Sequence, residues 1–319
     1  MTLVPLASAF DLDSHTLRLI AAVAEYGSIT RAAAVLGFSQ PAVSQQIKRV
    51  EARIGMPLVT RAGRGIRLTD AGEVLARHAG AVLTALDSAA GELSDLSGLR
   101  TGRVRLSAFP SASSTIVPRL IRSMAAEHAG VRFTYTEAEP PEAVAAVRDG
   151  VSDLAIAFHY PDDRADAFTE STEGLVVHHL ARDELALLAP AAHPVLAADG
   201  PVDLAALRGE NWIAGCPRCR SHLLDSCARS GFAPAIAFET DNVVAVMSMV
   251  AAGLGVALLP ELALEATPLP AGVSSRPTAA RDHRMIVAVT RPAGDHIPAV
   301  GEALRLLRES TFANSSSGS

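Results

Sequence analysis

The sequence predicts an α/β protein carrying a small helical head. Three observations point there. Short capped helices followed by a glycine-tipped hairpin fill residues 12–68. One long heptad-patterned helix comes next. Strand-like and helix-like stretches then alternate to the end of the 319-residue chain. A chain of that length supports two or three domains. Apolar residues are 49% and charged residues 19%, which suits a globular chain and excludes a disordered one.

Leu12 to Tyr26 reads as the first helix, with Leu17, Ile20 and Val23/Ala24 on one face. Ser28 suits the N-cap of a second helix, 29–36, and Gly37 gives its sharp exit. Ser39 caps a third helix, with Pro41 in its first turn, where a missing N–H costs nothing. In "FSQPAVSQQIKRVEARIG", Val43, Ile47, Val50 and Ile54 line one face. The other face collects Gln40, Ser44, Gln45, Lys48, Arg49 and Arg53. Amides and hydroxyls can pair with base edges and cations with phosphates, so the second and third helices form a helix-turn-helix candidate.

"PLVTRAGRGIRLT" (57–69) follows as a hairpin with a basic, glycine-rich tip, in which Arg61 and Arg64 can reach phosphates or a minor groove. Thr69 and Asp70 open a long helix to about residue 97. Its apolar positions Leu75, Ala79, Val82, Leu86, Ala89, Leu93 and Leu96 are spaced four and three in turn, which suits a seam between two helices from two chains.

After "SGLRTG" the strand candidates are "VRLSAF" (104–109), "VRFTYTEA" (131–138), "DLAIAF" (153–158) and "ELALLA" (184–189). Helical stretches separate them, which predicts mostly parallel strands. "ENWIAG", "PAIAFETD", "GVALLP" and "RMIVAVTR" supply further strands, and "IPAVGEALRLLRES" a final helix before the polar tail "ANSSSGS". The apolar run 243–260 has the length of a membrane span. Asp241-Asn242 before it and Gly253 and Pro260 within it instead predict helix, turn and strand. No export signal is expected from "MTLVPLASAF", which lacks a positive start. The three cysteines are then thiols of a cytoplasmic protein.

Charge is unevenly placed. Residues 1–70 carry eight basic and five acidic groups, a net of +3, and the remainder carries −9. A basic head on an acidic body suits a polyanion-binding head.

The chemistry of catalysis is weakly signalled. Phosphate-loop, nucleophile-elbow and HExxH patterns are absent from the sequence. "GLG" at 253–255 follows a helix rather than a strand, the wrong order for a dinucleotide loop. His178 and His179 are adjacent on a strand and so point to opposite faces. "GCPRCRSHLLDSC" places Cys216 and Cys219 as C-x-x-C, with His222 and Cys227 beyond. Unpaired thiols, a redox pair or a metal site all remain open there, with Arg218 and Arg220 expected to lower the thiol pKa values.

The string "SQPAVSQQIKRVEARIG", followed by a Leu-x-x-Arg wing and "LTDAGE", resembles the DNA-binding head of LysR-type transcriptional regulators. "GVSDLAIAF" and "VVAVMSMVAAGLGVALLPELAL" extend the resemblance over nearly the whole chain. It implies an N-terminal winged helix-turn-helix, a long linker helix, and a two-subdomain periplasmic-binding-protein-like effector domain. The expected divisions are an extension, 1–11; the DNA-binding domain, 12–68; the linker and dimerisation helix, 69–98; and the effector domain, 103–312, before a tail, 313–319. The first subdomain is expected over 103–174 and 276–312, and the second over 175–275.

What the resemblance implies is a DNA-binding regulator rather than an enzyme, with no cofactor. Its partners are double-stranded DNA, a small effector of anionic or carboxylate character, and further copies of itself as dimer and tetramer. RNA polymerase is a partner if it activates. Location is cytoplasmic, on the nucleoid. Ser39, Gln40, Pro41, Ser44, Gln45, Lys48, Arg49, Arg53, Arg61 and Arg64 are expected at DNA. Ser111, Ser113, Ser114, Phe158, His159, Gly215, Cys216 and Thr240 are expected at the effector. Two alternatives stay open: a redox-responsive regulator acting through Cys216, Cys219 and Cys227, and a ligand-binding α/β module or enzyme with a helical assembly domain.

Overall fold

Short polar side chains start each of the first three helices. In α1 (Ser14–Tyr26) the cap is Asp13, whose carboxylate accepts from Thr16 N at 2.7 Å. In α2 (Ile29–Leu36) it is Ser28, and in α3 (Gln40–Ile54) it is Ser39. Each of the three ends on a left-handed glycine: Gly27, Gly37 and Gly55. At Gly37, φ is +74°, and the next residue, Phe38, sends its N–H back to Ala33 O at 2.9 Å. This closes the tight turn between α2 and α3.

The computed structural model describes residues 12–62, 65–96, 102–161 and 168–315. The extension 1–11, Arg64, and the side chains of Leu93 and Leu96 lie outside the described residues. The chain divides into two compact units, Met1–Leu99 with Arg148–Val151, and Arg100–Val147 with Ser152–Ser319.

In the first unit, Leu19, Ile20, Ala22 and Val23 of α1 bury against Ala32 and Ala33 of α2 and Val43, Ile47, Val50 and Ile54 of α3. The α1 stripe is therefore wider than expected, and Ala24 faces solvent. Strands β1 (Val59–Ala62) and β2 (Gly65–Leu68) pair antiparallel as the wing, with Ala62 opposite Gly65. Glu51 of α3 fixes the wing's root, accepting from Leu58 N at 2.7 Å and Val59 N at 3.2 Å. The long helix α4 runs Asp70–Leu96. A Cβ on its Gly72 would stand 2.2 Å from Leu58 O, so only glycine lets the helix lie this close to the wing root.

Beyond α4 the chain forms β3 (Gly102–Ala108), a short α5 (Pro110–Ser114), α6 (Ile116–Glu127), β4 (Val131–Glu137), α7 (Pro140–Arg148), β5 (Leu154–His159) and α8 (Phe168–Ser171). It continues through β6 (Val176–Pro190), β7 (Asn211–Ala214), α9 (Pro217–Arg229), β8 (Ala235–Glu239), α10 (Val243–Ala251), β9 (Ala257–Pro260) and α11 (Glu261–Ala266). It closes with β10 (Val273–Pro277), β11 (His283–Thr290) and α12 (Pro298–Ser315). The main sheet runs β10-β6-β11-β5-β3-β4, with β9 also on β6, and β7-β8 form a separate parallel pair.

The strands of the main sheet are not mostly parallel, contrary to the expectation from their alternation with helices. β3 pairs in parallel with β4 and β5, but β11 runs antiparallel to β5 and β6, and β6 antiparallel to β9 and β10. Local alternation reports only crossovers between successive strands; β10 and β11 return from far along the chain. Strand β6 is also longer than "ELALLA". Its first half pairs with β11 and its second half with β9 and β10, so one 15-residue strand serves both parts of the sheet.

The run 243–260 is the helix, turn and strand its punctuation predicts, with Gly253 at φ +71°. Among the described residues, no helix is long and apolar enough to cross a membrane.

Candidate functional site

Two arrangements, one in each unit, carry chemistry. In the first unit, α3 buries Val43, Ile47, Val50 and Ile54 and turns its other face outward. Ser39, Gln40, Pro41, Gln45, Lys48, Arg49 and Arg53 are exposed, and Ser44 is half-buried. Ser39 Oγ accepts from Ala42 N at 3.4 Å, so this hydroxyl caps the helix. Arg53 lies 3.6 Å from the Asp13 carboxylate, tying the end of α3 to the start of α1. The Thr16 backbone N–H holds the Asp13 carboxyl below its usual range against burial, with Arg53 a lesser help. Arg61 is exposed on β1. Glu51, which anchors the wing, escaped the sequence reading because its partners are backbone N–H groups.

In the second unit a cleft of about 760 Å³, counted out to solvent, is bounded by the β3–α5 turn, the ends of β5 and β7, α9, α10 and the start of β11. Ser111, Phe158, Gly215, Cys216 and Thr240 line it. Ser113, Ser114 and His159 do not. Ser113 donates to Phe109 O at 2.9 Å and also meets Tyr135 Oη, while Ser114 donates to Pro110 O at 2.9 Å. His159 follows Phe158 on β5 and so faces the other side of the sheet, stacked on Phe168 at 4.7 Å. The helix opened by this turn is only five residues, because Thr115 breaks it before α6.

Sequence reasoning missed Arg284, which also lines the cleft. Only 2% exposed, it is the register partner of Asp183 across β11 and β6. Its Nε donates to Asp183 Oδ2 at 2.9 Å and its Nη2 to Ser111 Oγ at 2.8 Å. The guanidinium also lies over the rings of Phe109 and Phe158, 4.7 Å and 4.5 Å from their centroids. Burial, the largest single effect, works against its charge, but Asp183, Tyr160 and Cys219 together outweigh it and hold the guanidinium protonated. Glu139 and Asp241 also line the cleft. Burial first, and Asp241 second, push the Glu139 carboxyl up.

Cys216 and Cys219 stand together in the cleft wall, with Cys216 Sγ donating to Cys219 Sγ at 3.0 Å. The Cys219 thiol is lowered, chiefly by that bond, with Arg284 and Tyr160 assisting against burial. Arg218 and Arg220, expected to do this, are directed elsewhere: Arg218 donates to Phe158 O and Arg220 to Glu239. Cys227 is apart from the pair in a second core cluster. His222 stacks on Tyr160 with centroids 4.0 Å apart.

His222, Ser226 and Asp282 invite comparison with a hydrolytic triad, His222 Nε2 being 3.2 Å from Ser226 Oγ. All three are buried, and the Asp282 carboxylate accepts from Ser226, Arg229 and Thr278. That is a structural network joining α9 to the turn before β11. His178 and His179 diverge as expected. His178 is buried against Thr290 and Arg308, while His179 is exposed.

Comparison with known proteins matches both units. Residues 14–73 match the bacterial regulatory helix-turn-helix protein pattern of the lysR family, and residues 97–311 match the LysR substrate binding domain. The probable HTH-type transcriptional regulator LrrA of Synechococcus elongatus is 30% identical over 92% of this chain and 95% of its own. The transcriptional dual regulator GltC of Bacillus subtilis is 30% identical over 78% of this chain and 81% of its own. Among solved structures, a cysteine variant of full-length OxyR from Pseudomonas aeruginosa superposes with a TM-score of 0.73 at 22% identity, covering 93% of this chain and 95% of that one. Full-length CbnR complexed with its target DNA gives a TM-score of 0.54 at 22% identity, covering 94% of this chain and all of that one. The chain belongs to the lysR family: it is a transcriptional regulator with an N-terminal helix-turn-helix and an effector-binding domain.

Proposed function

We propose that α3 reads a DNA major groove and that a small effector binding the Arg284 cleft controls how it does so. One observation carries the DNA part: α3 is apolar where it docks and amide-, hydroxyl- and cation-bearing where it faces solvent. Gln40, Ser44 and Gln45 crowd its amino-terminal half, the end that enters a groove. Lys48 and Arg49 stand where the helix passes phosphates, with Arg61 and Arg64 of the wing adding backbone or minor-groove contacts. Ser39 and Pro41 set the start of the helix, and Arg53 combines a phosphate contact with its tie to Asp13.

The effector site is the cleft lined by Ser111, Phe158, Gly215, Cys216 and Thr240. Arg284 and Ser111 serve an anionic or carboxylate group, and Phe109, Phe158 and Ile213 an apolar body. Glu139 and Asp241 disfavour a second anion. The action is binding rather than catalysis. An effector changes regulation only by preferring one arrangement of the assembly over another.

The assembly is a dimer built along α4 and a tetramer built from two such dimers. Val82 and Leu86 support the seam, being 43% and 45% exposed in the single chain at heptad positions. The domain divisions at 68, 98, 174 and 275 belong to the same account, as do a place on the nucleoid in the cytoplasm and contact with RNA polymerase during activation.

Selection of bound sequences from a random DNA pool tests this. Wild type is expected to enrich one two-fold symmetric motif, and Gln45→Ala a motif relaxed at defined positions. Enrichment of no motif by the wild type overturns the DNA-reading role.

A further inference from the structure

Two thiols that DNA binding does not use stand side by side in the cleft wall. Cys216 is the N-cap of α9, and Cys219 is the third residue of that helix. Cys219 N–H points back to Cys216 Sγ at 3.5 Å, and the two sulfurs are 3.0 Å apart. A cap residue and the third residue share one turn, so their sulfurs can join without moving α9 as a body.

The two thiols are not equivalent. Cys219 receives the Cys216 S–H, has Tyr160 Oη at 3.5 Å, and lies in the field of Arg284. These partners favour its thiolate. The Cys216 thiol is pushed up, first by its bond to Cys219 and then by burial, so it keeps its proton. One sulfur poised as nucleophile beside one that holds a proton is the division of roles that dithiol–disulfide exchange requires. Cys227 has neither role. It is fully buried with Leu187 and Trp212, and burial pushes its thiol up to about 12. Chelation is less well supported. Among the described residues, the only three His, Cys, Asp or Glu groups with ligand atoms mutually within 4.8 Å are Glu127, His128 and Glu302.

We propose that Cys216 and Cys219 form a reversible intramolecular disulfide by exchange with low-molecular-weight disulfides, making the cleft wall a redox modification site. The Cys219 thiolate attacks one sulfur of the small disulfide. The S–S bond breaks, one small thiolate leaves, and a mixed disulfide forms on Cys219. The Cys216 sulfur then gives up its proton and attacks the Cys219 sulfur, releasing the second small thiol. The protein dithiol loses two electrons and two protons, and the small disulfide is reduced to two thiols. Closure also takes up the Cys219 sulfur beside Arg284, so the reduced and oxidised clefts differ where the effector's anionic group binds. That consequence rests on the effector-site reading; the disulfide itself does not.

The test uses the full chain, equilibrated in oxidised and reduced dithiothreitol, then alkylated and mapped by mass spectrometry. The expected result is joint loss of two of the three thiols, one internal 216–219 link, and full recovery with excess reduced dithiothreitol. In oxidised glutathione, Cys216→Ser should accumulate a mixed disulfide on Cys219, and Cys219→Ser should leave Cys216 largely unmodified. Three free thiols in excess oxidised dithiothreitol, or a link to Cys227, overturn the proposal, and the wild-type result holds whether or not the variants fold. DNA affinity is read on the same samples. A chain that binds DNA but forms no link removes this proposal alone. A chain that binds no DNA in either form removes the functional reading instead.

Discussion

Arg284 and Asp183 face each other across β11 and β6 as a buried ion pair, Nη2 to Oδ2 at 2.8 Å, with both side chains at most 5% exposed. The pair also holds the cleft's borders. Arg284 donates to Ser111 of α5, and Asp183 Oδ1 accepts from Leu262 N of α11 at 3.0 Å. Both carboxylate oxygens and the Nε and Nη2 of the guanidinium are therefore paired, which limits the cost of burying the two charges.

Removing one member should cost far more than the pair contributes. Arg284→Met leaves Asp183 buried without its partner, so a loss of about 3–5 kcal/mol in urea unfolding is expected. Arg284→Lys should recover little of this, because a point charge cannot reach Asp183 and Ser111 together with the geometry of a planar fork. Unfolding midpoints close to wild type for both variants would show that the pair is not structural.

On α3, Lys48→Ala and Gln45→Ala should separate grip from reading. Lys48→Ala is expected to weaken binding across all sequences and to lower the salt slope by about one. Gln45→Ala should cost about 1–3 kcal/mol of discrimination at one position per half-site. Fluorescence titration of matched and scrambled DNA over a range of salt distinguishes them. An unchanged slope for Lys48→Ala would remove it from the phosphate contacts.

Acid should weaken the second unit through Glu302. Hydrogen bonds from Arg305, then from His128, hold this carboxyl down to about 2, from an ordinary 4.5. A depressed carboxylate contributes stability that is present above its unfolded pKa and lost as pH falls toward the folded one. The wild-type advantage over Glu302→Gln should therefore be full above pH 4.5 and shrink between 4.5 and 2. Urea midpoints of the two proteins across that range check this; a constant gap would contradict it.

Along α4, Val82→Glu and Leu86→Glu should split the assembly while leaving the fold intact. Both side chains are exposed in the single chain, so a charge there costs little without a partner and much within a dry helix seam. Sedimentation should show a shift toward the monomer with unchanged circular dichroism. Retention of the wild-type mass would place the subunit contact elsewhere.

The head was legible in the sequence because its signals are local. Caps at Ser28 and Ser39, the exits at Gly37 and Gly55, and the Val43–Ile54 stripe each act within a few residues of chain. The cleft was only half legible. Ser111, Gly215 and Thr240 follow strand ends, where a strand-then-turn reading looks for ligands. Arg284 gave no such signal: within "DHRMIVAVT" it looks like an ordinary polar strand position. Its role depends on Asp183, 101 residues earlier in the chain, and on a sheet register that local pattern does not report. The same distance hid the antiparallel return of β10 and β11. His159 shares a strand end with Phe158, but alternation along the strand sends the two to opposite faces.

The most direct measurement is a footprint of the purified chain on the DNA upstream of its own gene, at two salt concentrations. Protection of paired half-sites separated by whole helical turns, weaker at the higher salt, is expected. Absence of protection at both salts, together with a random-sequence selection that enriches no motif, would contradict the DNA-reading role.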